Sequence, residues 1–131
     1  MSRAKPEAPP PLHELESEVM EEVWRRGGEA AVRDVLEALN ARNRRKRAYT
    51  TVMTIMSRLH TKCLLERELR GKTHFYRAAM SREAYLDARA RDEVDTLVAD
   101  FGNVALAHFA RQVEGLDAKQ LRRLRELAGG G

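Results

Sequence analysis

The sequence predicts a mainly α fold with a small antiparallel β wing, and three observations predict it. Apolar residues recur at helical spacing through most of the chain, and one stretch centred on Gly71 reads as a hairpin instead. The composition, 34% charged with only 5% aromatic residues, suits short amphipathic helices better than a β-sandwich. Setting aside the first eleven and last three of the 131 residues leaves 117, enough for one modest core and too few for a barrel or a doubly wound enzyme fold.

Residues 1–11 hold Pro6, Pro9, Pro10 and Pro11 without periodicity and read as a disordered tail. A first helix is expected from about Leu12 to Arg26, with Leu12, Leu15, Val19 and Val23 as its stripe, widened by Met20 and by Trp24, a core residue. Its glutamates alternate with apolar residues and read as a solvated face. Arg25 and Arg26 suit the negative end of the macrodipole, and Gly27 ends the helix. After a short link at residues 29–31, Val32, Val35, Leu36 and Leu39 mark a second helix ending near Asn40. The run from Arg42 to Arg47 is too polar for core and reads as an exposed connection. A third helix follows, from Tyr49 or Thr50 to about Lys62, with Val52, Ile55, Met56, Leu59 and Cys63 facing inward. Cys63 is thus expected in the core.

Leu64 to Leu69 and Thr73 to Ala79 read as two strands joined by Arg70-Gly71-Lys72, where Gly71 supplies the positive φ of a tight turn. Three helices and a hairpin form a winged helix-turn-helix over residues 12–80. Residues 81–128 read as all helix, with an interruption at Gly102-Asn103. Asp117 with Gln120 forms a capping box, and Leu116 with Leu121 a hydrophobic staple. Stripes containing Tyr85, Leu86, Val94, Leu97, Val98, Phe101, Leu106, Phe109, Leu116, Leu121 and Leu124 need a covering surface, and a second copy of the chain fits best: residues 81–128 are a dimerisation region. Gly129, Gly130 and Gly131 close the chain as a flexible tail.

Charge is concentrated. Between Arg42 and Arg77 eleven basic residues face only Glu66 and Glu68, a window of +9, while the remainder, 13 basic against 18 acidic residues, carries −5. Such a field attracts a polyanion whatever the mean charge. The outer face of the third helix pairs small hydroxyls with one arginine, and no acidic residue occurs from Lys46 to Leu65. A helix entering the major groove must exclude carboxylates and present short donors. Arg42, Arg44, Arg45, Lys46, Arg47, Arg70 and Lys72 are therefore expected on phosphates, and Tyr49, Thr50, Thr51, Thr54, Ser57 and Arg58 at the reading face.

Other chemistries find no support. One cysteine excludes an internal disulfide, and His13, His60, His74 and His108 lack metal-ligand spacing, so no metal or cofactor is expected. There is no Gly-rich phosphate loop, nucleophile elbow or paired-carboxylate constellation, so the chain does not read as an enzyme. No run approaches the ~18 apolar residues of a membrane helix, and no hydrophobic run follows the basic residues at the start; the expectation is a cytoplasmic protein that does not bind membranes directly.

Leu15 to Met20 through Trp24, then Val32-Arg33-Asp34-Val35, then Ala48-Tyr49-Thr50-Thr51-Val52-Met53-Thr54-Ile55-Met56-Ser57-Arg58-Leu59, resemble the penicillinase-repressor family of the BlaI/MecI/CopY type. The resemblance spans about Leu12 to Ala128. It implies a dimeric winged-helix transcriptional repressor on a palindromic operator, with the helix from Thr50 to Lys62 in the major groove. Thr50, Thr54 and Arg58 fall where relatives contact DNA, and Met53 stands where some carry arginine. It further implies release when a membrane-bound zinc-peptidase sensor leads to cleavage in the C-terminal helices, at a bond matching His108–Phe109, in an antibiotic response. The chain lacks the cysteine-rich tail of the copper-responsive branch. Two alternatives stay open: a winged-helix module binding protein or RNA, and a repressor released by a small molecule.

Overall fold

The computed structural model describes residues 8–129. Their order is α1 (Glu14–Arg26), α2 (Val32–Arg42), α3 (Tyr49–Thr61), β1 (Leu65–Arg70), β2 (Thr73–Ala78), α4 (Arg82–Phe101), α5 (Asn103–Glu114) and α6 (Ala118–Gly129). The fold is thus mainly α with one two-stranded antiparallel sheet. Gly129 closes α6, whereas Gly130, Gly131 and residues 1–7 of the expected tails lie outside the described residues. The chain divides into two compact units, residues 1–90 and 91–131.

In the first unit α1, α2 and α3 turn their stripes onto one core. Val19, Met20, Val35, Val52, Met56 and Leu59 are fully buried there, joined by Leu64, Leu65 and Tyr76 from the hairpin side. The link before α2 is extended: Ala30 and Tyr76 exchange backbone hydrogen bonds of 2.8 Å, so β2 is bridged on the side away from β1. Gly27 ends α1 in the left-handed region at φ 76°, and its N–H donates to the Val23 carbonyl. The hairpin pairs Leu65 with Ala78 through Arg70 with Thr73, which makes the turn two residues long. Gly71, its first residue, has φ 64°, the place where a II′ turn requires glycine.

Three expectations are corrected here. The glutamates of α1 do not all face water: Glu16 is 1% and Glu22 0% exposed. Each is paired with cations that stay partly open to solvent, Glu16 accepting from Lys62 Nζ at 2.7 Å and Glu22 from Arg25 at 2.7 Å and from Arg42. Cys63 is exposed rather than core, because α3 stops at Thr61 and Cys63 takes the left-handed conformation, φ 66°, that turns the chain into β1. Tyr85 is not on an open stripe. It sits in the core of the first unit, 5.4 Å from the Trp24 ring, with its hydroxyl donating to the Pro10 carbonyl at 3.0 Å.

Trp24 itself is half-buried against this core, and its indole N–H donates to the Met80 carbonyl at 3.0 Å. Arg89 donates to the Pro9 carbonyl at 3.2 Å, so residues 9 and 10, proline-rich in sequence, have fixed partners.

The second unit comprises the end of α4 with α5 and α6. Gly102 breaks α4 from α5. The Asp117–Gln120 capping box forms in both directions, with bonds of 2.7 and 3.0 Å. Among its described residues only Ala105 is buried, while Val94, Leu97, Phe101, Leu106, Phe109 and Leu124 are all exposed.

Candidate nucleic-acid interface

The inner face of α3 is fixed by burial of Val52, Ile55, Met56 and Leu59, and helix geometry then sets what the other side presents. Tyr49, Thr50, Thr51, Met53, Thr54 and Arg58 are exposed, and Ser57 is half-buried. Ala48 precedes the helix in extended conformation, and its carbonyl accepts from the Thr51 and Val52 N–H groups. Toward the far end the Thr61 hydroxyl donates to the Ser57 carbonyl at 3.2 Å. Between this face and the hairpin lies a cleft of about 460 Å³, lined by Met53, Thr54, Ser57, Arg58 and Thr61 from α3 and by Arg67, His74 and Tyr76 from the wing. His74 and Tyr76 face each other across 6.2 Å, and Arg67 donates to the Tyr76 hydroxyl at 3.3 Å. Among the described residues no cluster of His, Cys, Asp and Glu could hold a metal.

The connection from α2 to α3 is held by Asn40, a residue that sequence reading passed over. Its side chain accepts from the Arg47 N–H at 2.7 Å and donates to the Arg47 carbonyl at 3.1 Å, tying the connection back to the last turn of α2. Lys46 folds back onto the carbonyls of Asn40 and Asn43, where a cation also meets the negative end of the α2 macrodipole. Arg42 is engaged with Glu22, and Arg47, 20% exposed in its side chain, with Glu18 at 3.4 Å. Arg44 and Arg45 are exposed and form no ion pair among the described residues.

The wing divides similarly. Arg70 spans Glu29 and Glu68 and lies 5.0 Å over the Phe75 ring, which ties the hairpin to the link before α2. Hydrogen bonds donated to Glu29 and then to Glu68 hold its guanidinium pKa above the ordinary arginine value. Lys72, at the tip, is exposed and makes no ion pair among the described residues. Of the thirteen anticipated contact residues, Thr54, Ser57 and Arg58 line the cleft beside the wing, while Arg42, Arg47 and Arg70 serve as internal ion-pair partners.

Met53, which the resemblance places where some relatives carry arginine, is 42% exposed on the α3 face. Sequence reasoning missed two further residues. Arg67 lines the cleft, as strand alternation could have indicated. Arg33 places its guanidinium 5.6 Å from the Tyr49 ring centre, a pairing of two helix starts that no local pattern reveals. In the second unit Val98, Leu116 and Leu121 are half-buried, and His108 and Phe109 lie exposed within α5.

Comparison with known proteins bears on the whole arrangement. The family model described as "Penicillinase repressor" matches residues 12–129. The chain is also similar to the "Transcriptional regulator BlaI" of two strains of Mycobacterium tuberculosis, CDC 1551 / Oshkosh and ATCC 25618 / H37Rv. Each is 39% identical over 127 residues, covering 91% of this chain and 86% of the relative. The family match runs through every element from α1 to α6, and so the chain belongs to the penicillinase-repressor family, whose members regulate transcription rather than catalyse reactions.

Proposed function

We propose that this transcriptional repressor works as a homodimer, laying one α3 in the major groove of each half of a palindromic operator. One observation carries the proposal. The exposed face of α3 holds hydroxyls, Met53 and Arg58 without a carboxylate, beside a cationic loop and a lysine-tipped wing. Groove-facing helices need this exclusion, because phosphates repel carboxylates and base edges call for short donors or a bidentate arginine. Arg44, Arg45 and Lys72 grip phosphates and set register; Thr50, Thr54 and Arg58 read bases, supported by Tyr49, Thr51 and Ser57. Arg42, Lys46, Arg47 and Arg70 shape the loop and wing while adding to the same positive field.

The exposed apolar residues of the second unit support dimerisation, since monomeric proteins rarely leave so many together in water. The inducing signal acts on these same helices. The His108–Phe109 bond is interior to α5, so a peptidase dependent on a membrane sensor cuts it only after that helix opens locally. The likeness to regulators over most of the chain favours this reading over a protein- or RNA-binding module.

Gel shifts of the full chain on its own promoter fragment, random duplex and hairpin RNA test the proposal. The promoter should bind best. Arg58→Ala should cost about 1–3 kcal/mol on the specific site and little on random duplex, whereas Lys72→Ala should weaken all duplexes alike and flatten the salt slope by about one unit. Equal loss on specific and random DNA for Arg58→Ala removes the base-reading role.

A further inference from the structure

The centre of the α3 face is occupied by a side chain that offers no hydrogen to a base. Thr50, Met53, Thr54, Ser57 and Arg58 follow one another at helical spacing on a single stripe, and Met53 is 42% exposed whereas Met56, on the inner side, is 0% exposed. Met53 also lines the cleft shared with the wing, directly beside Thr54 and Arg58. A thioether is a weak acceptor and no donor. Against adenine, guanine or cytosine it strips water from polar base-edge atoms and returns no bond. Thymine alone puts an apolar group on the major-groove floor, its C5 methyl. Thr50 and Thr54, flanking Met53 on the stripe, carry methyl groups of their own and extend the same apolar surface.

We infer that Met53 is a specificity-determining residue, reading a thymine methyl in each operator half-site. The inference rests on the reading of α3 as the groove helix. Arg58 supplies the polar contact one turn further along, so the two residues divide each half-site into a methyl-read and a hydrogen-bond-read position.

The test begins with the duplex that the full chain selects from a random pool. It is resynthesised with deoxyuridine replacing thymine at one symmetry-related pair of positions at a time, which removes the methyl and leaves base pairing unchanged. At one pair the wild-type protein should bind the uracil duplex about fourfold more weakly per half-site, the equivalent of ~0.8 kcal/mol for one methyl-sized group. The loss for the whole palindrome should be about 16-fold. Met53→Ala, at an exposed position, should fold normally by circular dichroism and bind the two duplexes within about twofold of each other. Arg58→Ala should lose affinity for both and keep the wild-type ratio. A selected duplex bound equally well with and without every methyl overturns the inference and leaves the groove-helix reading standing. Full methyl discrimination in Met53→Ala does the same. If the pool yields no preferred duplex, the groove-helix reading fails and this inference falls with it.

Discussion

Glu16 and Glu22 set the pH response of the first unit. Burial pushes both carboxyls up, but the hydrogen bonds and positive charge of Lys62 and the His13 N–H on Glu16, and of Arg25 and Arg42 on Glu22, outweigh it and hold both below the ordinary value of 4.5. A lowered folded-state pKa stabilises the fold above the unfolded value, and that stability disappears as pH falls through the folded one. Urea unfolding should therefore show a loss of stability below about pH 4.5, and Glu22→Gln should make that acid limb shallower while costing about 1–3 kcal/mol at pH 7. Lys62→Met asks more of the protein, because it leaves the Glu16 carboxylate, 1% exposed, without its cation. The expected cost is about 3 kcal/mol at neutral pH and clearly less at pH 4, where the carboxyl can take up a proton. An equal cost at both pH values would mean that the pair contributes nothing electrostatic. Cys63 predicts the opposite sign. At φ 66° it bears the strain of a β-carbon in the left-handed region, so Cys63→Gly should stabilise by about 0.5–1 kcal/mol in thermal melts without changing DNA affinity.

At the scale of elements, what the sequence disclosed was whatever is local. The periodic stripes of α1, α2 and α3, the glycine that begins the wing turn and the Asp117–Gln120 box each depend on residues a few positions apart. Helical spacing likewise put Met56 on the inner face of α3, and the structure buries Met56 while leaving Met53 exposed. The hidden features are long-range. Glu22 meets Arg42 across 20 positions and Glu16 meets Lys62 across 46, so charge that pattern reading assigns to solvent is instead satisfied inside. Tyr85 escaped for the same reason, since its partner Pro10 lies 75 positions away. Asn40 shows how an element can depend on one such contact. Its side chain alone ties both backbone groups of Arg47, and Asn40→Ala should loosen the α2–α3 connection at a cost of about 1–2 kcal/mol. Because Arg44 and Arg45 ride on that loop, affinity should fall by a similar factor on specific and random duplexes, measured by gel shift. A loss confined to the specific duplex would place the effect on α3 instead.

For the molecule as a whole, the proposed function assigns reading to the first unit and pairing to the second. The first buries a continuous core and presents the cationic surface; the second buries almost nothing among its described residues yet exposes Phe101 by 58%, Leu106 by 50% and Leu97 by 39%. A single winged helix reads only a few base pairs, and joining two makes the second contact intramolecular, raising affinity for a two-half-site operator by about 10²–10⁴ over either half alone. Pairing through the second unit, as proposed, would therefore multiply the specificity of each α3 without a new base contact. Leu97→Glu with Leu106→Glu puts two carboxylates on that apolar surface, and neither residue belongs to the core of the first unit. Sedimentation equilibrium should then find a monomer where the wild type is a dimer. The double variant should retain the wild-type melting transition of the first unit, bind an isolated half-site as the wild type does, and lose at least about 100-fold on the palindrome. A variant that stays dimeric, or a monomer that keeps full affinity for the palindrome, would separate pairing from the exposed helices and require another surface to bring two reading heads together.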